Sequence, residues 1–234
     1  YDAIIADVPC SGSATTRKNV KVWEKWQPLD GRSLFTLQVT IAERGARALR
    51  PGGKFVYSTC SIDPVENEAV VAELLRRCPW MELVEITEDS LPGLKLHDGL
   101  STWDIIDDAG RVVTISDHIP RLSGLKLAHL SPLQRQSVDA HADRLEEEFI
   151  ASQLPLSKRL YHMDNDTGGF FVALLRHKPT ATPEGKARVY IPKRKLGKNT
   201  GWQPRTLTVK TGGKHAIFPA KVDEIEQVAE QYQL

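Results

Sequence analysis

The sequence predicts an α/β fold with a parallel sheet, because strand-like and helix-like segments alternate along its first part. Two short apolar runs, 1–7 and 54–59, each end in a loop of small and polar residues. Each run is followed by a segment whose apolar residues recur at three- and four-residue steps. Short apolar runs are typical of buried strands, whereas the longer steps are typical of helices. This order implies right-handed crossovers and a sheet covered by helices on both faces.

The residues at their ends predict where the first strand and the first long helix lie. Residues 1–7 (YDAIIAD) run into a Val-Pro-Cys turn and a Ser-Gly loop, as expected of a strand that ends at a ligand-binding edge. Because such a strand seldom opens a domain, we expect the preceding elements to lie upstream of this chain or on a partner. A helix is predicted over 33–50, with Ser33 as its cap and residues 51–53 (PGG) as its end.

The second strand is expected to bring a second cysteine to the same edge of the sheet. Residues 54–59 (KFVYST) are rich in β-formers and end at Cys60, much as the first strand is followed by Cys10. A helix is predicted next, with Asp63 as its cap and Pro64 at its first position. Since the carboxyl ends of parallel strands meet at one edge of a sheet, we expect both thiols in one crevice.

The signals after the second helix are weaker. A third strand is expected at 82–86, and the apolar run 168–175 (GGFFVALL) predicts a buried strand that closes the domain. The stretch 90–166 is rich in Pro, Gly, Asp and His and has weak periodicity. Within it, 103–106 and 112–115 could form a hairpin around an Asp-Ala-Gly turn.

The carboxy-terminal part of the chain differs in composition from the rest. The sequence predicts one main domain over 1–177, a linker over 178–186 and a small basic extension over 187–234. Residues 185–221 contain ten Lys or Arg and no acid. Such a segment can neutralise nucleic-acid phosphates, although a solvated basic tail without a partner would look the same.

The overall composition excludes several classes of protein. The chain has 234 residues, of which 41% are hydrophobic and 26% charged, as in ordinary globular proteins. Its three cysteines include no CxxC pair, so neither a zinc site nor a disulfide framework is indicated. It has no apolar run of the roughly 18 residues that a membrane span needs, and it does not open with a signal peptide. We therefore expect an intracellular protein with no metal and no membrane contact.

An ordered set of motifs gives the strongest functional signal. They are 7–12 (DVPCSG), 17–19 (RKN), Trp23, Trp26, Leu37-Gln38, 58–61 (STCS), 64–68 (PVENE), 91–94 (LPGL) and 169–173 (GFFVA). Together they resemble the RNA cytosine carbon-5 methyltransferases of the Nop/Sun type, with matching order and spacing over 1–177. The RKN, paired-Trp and LPGL motifs look most similar to the eukaryotic members that act on transfer RNA.

This resemblance carries several expectations. It implies a Rossmann-like class I methyltransferase fold, of which this chain would hold the carboxy-terminal part of the sheet. It implies S-adenosyl-L-methionine as the cofactor, RNA and in particular tRNA as the partner, and a place in the nucleus or nucleolus, with the cytoplasm as the alternative. No GxG pattern follows a strand here. We therefore expect three features of the family upstream of Tyr1: its Gly-rich cofactor loop, its ribose-binding acid and its catalytic lysine. The chain alone is expected to lack most of the part of the site that binds the cofactor.

The resemblance also assigns roles to three residues. Cys60 stands at the family's nucleophile position, and its thiolate would add to carbon 6 of cytosine, which makes carbon 5 nucleophilic enough to accept a methyl group. Cys10 would assist the later release, and Asp7 would hydrogen-bond the cytosine edge. The alternatives are that both cysteines are small buried apolar residues and that Asp7 only caps a loop. Cys78, which has no motif around it, is interpreted as such a buried residue.

The remaining candidate residues surround the cysteines. The substrate-binding candidates are Pro9, Ser11, Gly12, Arg17, Lys18, Thr59 and Ser61, and the cofactor-binding candidates are Asp7 and Pro9. Arg17 and Lys18 could contact RNA phosphates or simply be solvated. Trp23 and Trp26, three residues apart, are interpreted as core rather than as base-stacking residues. Glu66 and Glu68 are expected to support the loop that carries Cys60.

Two rival interpretations remain open from the sequence. The first is a non-catalytic RNA-binding or scaffolding remnant that keeps the fold and has lost cofactor binding; an upstream strand with a Gly-rich turn would exclude it. The second places the nucleophile at Cys10, as the Pro-Cys motif does in DNA cytosine methyltransferases. Trapping of a covalent adduct separates these assignments.

Overall fold

The fold is organised around a six-stranded mixed sheet. The computed structural model describes residues 1–113 and 124–179. The strands are β1 (Ala3–Asp7), β2 (Lys54–Thr59), β3 (Met81–Val84), β4 (His97–Asp98), β5 (Lys158–Leu160) and β6 (Phe170–His177). The helices are α1 (Val20–Lys25), α2 (Pro28–Ala48), α3 (Glu68–Arg77), α4 (Pro132–Val138), α5 (Arg144–Gln153) and α6 (His162–Asn165). The predicted α/β class is confirmed.

The strands are parallel only in part. β1 and β2 are parallel, with Asp7 opposite Ser58, as predicted. β6 lies antiparallel between β2 and β3, so β2 and β3 point the same way without touching as neighbours. β5 is also antiparallel to β6, and β4 to β5. The prediction of a parallel sheet therefore holds for β1 and β2 and fails for β4, β5 and β6, because β6 follows β5 after only nine residues, too few for the crossover that a parallel pair requires.

The long helix α2 packs closely on the sheet. Phe55 of β2 is fully buried beneath it. A Cβ added at Gly45 of α2 would lie 2.4 Å from Cε2 of this ring, so the approach requires glycine. The helix begins five residues earlier than predicted, because Gln27 and Asp30 form a capping box ahead of it. Ser33, the predicted cap, lies inside the helix and donates its hydroxyl hydrogen bond to the Asp30 carbonyl.

The second predicted helix begins later than expected. Asp63 accepts a hydrogen bond from the Val65 N–H at 2.9 Å, which closes a turn rather than starting a helix. The helix itself, α3, starts at Glu68. The prediction of a cap at Asp63 with Pro64 at the first helical position is thus wrong by four residues, since Asn67 is the cap. The extra turn inserts the buried side chains of Glu66 and Asn67 beneath the loop that carries Cys60.

The irregular stretch holds more structure than its sequence indicated. The predicted hairpin is present as a short one over 105–113: Ile106 and Val112 pair antiparallel, and the Val113 N–H donates to the Ile105 carbonyl at 2.8 Å. Residues 114–115 lie outside the described residues. Helices α4 and α5 and strand β5 were not predicted. α5 is capped by Asp143, whose carboxylate accepts hydrogen bonds from two backbone N–H groups.

The third and last strands agree with expectation to within a few residues. β3 and β6 lie at Met81–Val84 and Phe170–His177, against predictions of 82–86 and 168–175. The linker at 178–186 and the extension at 187–234 lie outside the described residues, apart from Lys178 and Pro179. Among the helices that are described, none has the length and hydrophobicity to span a bilayer.

Candidate active site

The two predicted thiols meet at the carboxyl edge of the sheet. Cys10 follows β1 and Cys60 follows β2, and their sulfur atoms lie 3.4 Å apart. The Val8 N–H extends the parallel pairing by donating to the Ser58 carbonyl at 3.1 Å, which carries both chains side by side into their loops. Both cysteines are partly buried. The expectation of two thiols in one crevice is confirmed.

The short contact between the two sulfur atoms gives the two thiols different pKa values. A hydrogen bond from the Cys10 thiol stabilises the Cys60 thiolate and lowers the pKa of Cys60 to about 7. The same hydrogen bond, burial and the neighbouring negative charge raise the pKa of Cys10 well above that of an ordinary thiol. The pair therefore shares one proton near neutral pH, with the thiolate on Cys60 and the thiol on Cys10.

One buried carboxylate ties the two loops together. Glu66, which is fully buried, accepts hydrogen bonds from the Ser11 N–H at 2.8 Å and from the Ser11 hydroxyl. It also accepts from the Ser61 hydroxyl at 2.6 Å and from Gln38 Nε2 at 3.0 Å. Gln38, on α2, donates in addition to the Pro9 carbonyl at 2.9 Å. The spacing of the thiols is thus set from beneath by a carboxylate and an amide.

The Cys60 loop (residues 60–67) is held almost entirely by buried side chains. The Thr59 hydroxyl donates to Asn67 Oδ1 at 2.6 Å, and Asn67 Nδ2 donates to the Ser61 carbonyl at 2.9 Å. Thr59, Ser61 and Asn67 are all fully buried. The prediction that Thr59 and Ser61 bind substrate is corrected, because their hydroxyl groups point into the protein and shape the loop.

The Cys10 loop (residues 8–13) depends more on backbone conformation. Gly12 adopts φ +71°, a left-handed conformation that disfavours other residues. The Ser13 hydroxyl lies 2.9 Å from the Ser61 hydroxyl and accepts a hydrogen bond from the Ile62 N–H at 2.9 Å. These contacts join the two loops a second time, through Ser61, which also donates to Glu66.

A buried ion pair supports the Cys60 loop from β5. Arg159 Nε donates to Glu68 Oε1 at 2.6 Å, and Arg159 Nη1 donates to the Ile62 carbonyl at 3.0 Å. Asp63 lies in the same loop, and burial together with the nearby Glu66 raises the pKa of its carboxyl group to about 7. The expectation that Glu66 and Glu68 support this loop is confirmed by these contacts.

The residues predicted to touch cofactor or phosphate lie at the surface. Asp7 is exposed and accepts a hydrogen bond from the Ser58 hydroxyl at 3.3 Å. Arg17 is exposed and forms an ion pair with Asp166 at 2.6 Å, and Lys18 is exposed beside it. No group of three or more His, Cys, Asp or Glu that could hold a metal occurs within 1–113 and 124–179.

The interpretation of the two tryptophans as core residues is wrong. Trp23 is 74% exposed and Trp26 is 36% exposed. Trp26 Nε1 donates to the Ser11 hydroxyl at 3.2 Å, so this indole borders the Cys10 loop. α1 has no buried residue, which is why a three-residue step of large side chains does not indicate packing here.

The sequence reasoning also missed polar residues that hold the site. Gln38 and Asn67 are fully buried, and Ser13 joins the two loops. A signal for Gln38 was present, since it is a polar side chain directly beside an apolar stripe on a long helix. Ser13 offered no such signal, because serine is common in every loop.

Comparisons with known proteins show the family to which the chain is similar. Residues 1–176 match the family described as 16S rRNA methyltransferase RsmB/F. The chain is 32% identical over 226 residues to a multisite-specific tRNA:(cytosine-C(5))-methyltransferase of Saccharomyces cerevisiae, covering 96% of this chain and 30% of that protein. A Schizosaccharomyces pombe protein of the same description is 39% identical over 183 residues, covering 75% and 24%.

One solved structure is also similar to part of the chain. A methyltransferase homologue from Pyrococcus horikoshii aligns over 75% of this chain and 39% of its own, with 24% identity and a TM-score of 0.43. The chain spans about a third or less of the length of the two yeast relatives. Its α/β fold is the Rossmann-like class I methyltransferase fold. On the match over residues 1–176, the chain belongs to the 16S rRNA methyltransferase RsmB/F family.

Proposed function

We propose that the protein methylates carbon 5 of cytosine in RNA, with tRNA as the substrate, S-adenosyl-L-methionine as the methyl donor and Cys60 as the nucleophile. The observation that carries this proposal is the 3.4 Å contact between two thiols at one sheet edge, with the lower pKa on Cys60. The family match supports the reaction class, and the yeast relatives, described as tRNA cytosine-C5 methyltransferases, support the substrate. The nucleus or nucleolus is proposed as the location on the same resemblance.

The unequal thiols suit the two halves of such a reaction. In the first half, the Cys60 thiolate forms a bond to carbon 6, and carbon 5 becomes nucleophilic and takes the methyl group. In the second half, the proton on carbon 5 must leave so that the bond between Cys60 and carbon 6 can break. Once Cys60 is bonded to carbon, its negative charge no longer opposes ionisation of Cys10, and the pKa of Cys10 falls. Cys10 can then lose its own proton to solvent and accept the proton from carbon 5. The electron pair of that carbon–hydrogen bond forms the double bond between carbons 5 and 6, and the Cys60 thiolate leaves.

The residues present fit one side of a bound methyl donor and cytosine. Asp7 offers an exposed carboxylate at the end of β1, where it can accept a hydrogen bond from an amino group. Pro9 can contribute its ring, and its carbonyl already accepts one hydrogen bond, from Gln38. S-adenosyl-L-methionine would supply the methyl group at this edge. Arg17 and Lys18, exposed nearby, are proposed to contact RNA phosphates.

Covalent trapping tests the assignment of roles. We would incubate the intact gene product with methyl donor and cytosine-containing tRNA, and look for a protein–RNA adduct on denaturing gels. We expect Cys10→Ala to accumulate the adduct, because release is blocked, and Cys60→Ala to form none. Cys78→Ala is the matched control, because Cys78 is fully buried and belongs to neither loop.

Two results would contradict the proposal. An adduct with Cys60→Ala but none with Cys10→Ala would move the nucleophile to Cys10. Failure of the intact gene product to bind S-adenosyl-L-methionine, measured by calorimetry, would favour the non-catalytic RNA-binding scaffold instead.

A further inference from the structure

A cavity of about 380 Å³ lies beside the two cysteine loops. Ser13 and Ile62 line it from the Cys10 and Cys60 loops, and Trp23 and Trp26 line it from α1 and its end. Neither Cys10 nor Cys60 is among its lining residues. The cavity is therefore a neighbour of the reaction site and not the space around the thiols.

The walls of the cavity suit a flat aromatic ligand. Its surface is mainly apolar, and Val22, Ile105 and Ile106 line it together with the two indoles. Its volume is at the lower end of the roughly 300–1,000 Å³ of small-ligand sites. Trp23 is 74% exposed although it lies at the wall of a preformed cavity, so most of its indole is available for contact.

The cavity also has a polar wall. Arg32, only 3% exposed, donates from Nη1 to the Ile106 carbonyl at 2.7 Å and from Nη2 to Asp108. These bonds fix the plane of the guanidinium group. Arg32 Nε has no hydrogen-bond partner within the part of the chain that the structure describes. This nitrogen is itself buried, so Arg32 contributes to the cavity as a fixed part of its wall.

Trp26 links this cavity to the chemistry. Its Nε1 donates to the Ser11 hydroxyl, and Ser11 follows Cys10 directly. A ligand held against the indoles is thus held at the rim of the Cys10 loop. Apolar walls and an available aromatic side chain are features with which proteins bind splayed-out bases of single-stranded RNA.

We propose that this cavity receives the unpaired base next to the target cytosine, stacked on Trp23. The inference rests on the proposed function for the identity of the target. A cytosine that leaves its stack to reach the thiols loses stacking with its neighbour, and a second aromatic surface beside the thiols replaces it. The cavity would therefore recognise flanking sequence and lower the cost of exposing the target.

The test measures RNA binding rather than methyl transfer. Short single-stranded RNAs would carry one cytosine and either a normal residue or an abasic ribose at the preceding or the following position. Affinities would be measured by fluorescence anisotropy with the intact gene product and with Trp23→Ala, Trp23→Phe and Phe149→Ala. Phe149 is the matched control, because it is an exposed aromatic residue on α5 that does not line the cavity.

We expect one of the two abasic positions to weaken binding to the wild type by about tenfold, the size of one stacking contact. Trp23→Ala should weaken binding of the normal RNA by a similar factor and should no longer distinguish the abasic RNA. Trp23→Phe should retain most of the discrimination, and Phe149→Ala all of it.

Other outcomes overturn the inference. If neither abasic RNA binds more weakly than the normal RNA, or if Trp23→Ala still distinguishes them, no base occupies the cavity. If base removal has no effect while Trp23→Ala lowers the melting temperature by several degrees, another part of the protein covers the cavity. Because no methyl transfer is needed, the trapping experiment can fail while this test succeeds, and the reverse.

Discussion

The loops that follow β1 and β2 each carry one thiol, yet they are built in different ways. The Cys60 loop is fixed by side chains that are fully buried and bonded to one another, such as Asn67. The Cys10 loop is partly exposed and relies on the left-handed backbone at Gly12. Glu66, which belongs to the Cys60 loop, accepts hydrogen bonds from both loops. The comparison shows that the buried side chains of the Cys60 loop, and Glu66 in particular, fix the position of Cys10 relative to Cys60.

Removal of the shared carboxylate should have the largest effect. Glu66→Ala leaves the donors of Ser11, Ser61 and Gln38 without their acceptor inside the protein. We expect the free energy of unfolding to fall by about 3 kcal/mol or more, measured by urea denaturation. Glu85→Ala, at an exposed position, is the control and should change it by less than about 0.5 kcal/mol. Equal effects of the two variants would show that the loops are held without Glu66.

Removal of the Cys10 thiol should raise the pKa of Cys60. Cys10→Ala removes the hydrogen bond that stabilises the Cys60 thiolate, so the pKa of Cys60 should rise from about 7 to about 8.5 or above. The rate of Cys60 alkylation by iodoacetamide, followed by mass spectrometry against pH, reports this midpoint. At pH 7 the thiolate fraction should fall by roughly fifteenfold. Cys78 is an internal control, since burial raises its pKa to about 11 and it should stay unmodified.

The buried acid of the Cys60 loop should make stability depend on pH. Asp63 has a folded-state pKa of about 7, above its ordinary value of 3.8. Its protonated form stabilises the fold below about pH 4, and that contribution is lost as pH rises to 7. Asp63→Asn, which stays neutral, should therefore be more stable than the wild type by about 1–2 kcal/mol at pH 8 and nearly equal to it at pH 4.

Urea denaturation at both pH values measures this difference. The exposed Asp89→Asn should show no such pH dependence. A gain in stability for Asp63→Asn that is the same at pH 4 and pH 8 would mean that the carboxyl group does not titrate in this range.

A substitution that strains the backbone of the Cys10 loop should have the smallest effect on stability. Gly12→Ala forces a side chain into a left-handed conformation, at a cost of about 1 kcal/mol. The added Cβ would meet only Thr15 Oγ1 at 3.4 Å, so the loss comes from conformation and not from a clash. Gly168→Ala, whose Cβ has no neighbour nearer than 3.6 Å, is the control in thermal unfolding. Equal melting temperatures for the two variants would show that the Gly12 conformation is not required.

The sequence predicted what depends on local pattern. Apolar runs located β1 and β2, and the parallel pairing of such strands was enough to predict that Cys10 and Cys60 would meet. The boundaries were less accurate, because the Gln27–Asp30 capping box and the Asp63 turn depend on single hydrogen bonds that propensity does not reveal.

The remaining features depend on contacts between distant parts of the chain. No local signal indicates that β6 enters the sheet antiparallel between β2 and β3. The same holds for Trp23, whose size favours burial, although none of the residues of α1 is buried. The role of Glu66 as a link between loops follows from partners 55 and 28 residues away, which only the folded structure brings together.

The central place of β6 has a consequence for how the protein is made. β2 and β3 have no common partner until residues 170–177 have left the ribosome, about 90 residues after β3. Until then each of them presents an open strand edge, the feature through which nascent chains aggregate. A product that stops before Phe170 would carry both cysteine loops and yet lack the strand that joins the sheet beneath them. The six-stranded sheet of the described residues can therefore be completed only after β6 has been translated.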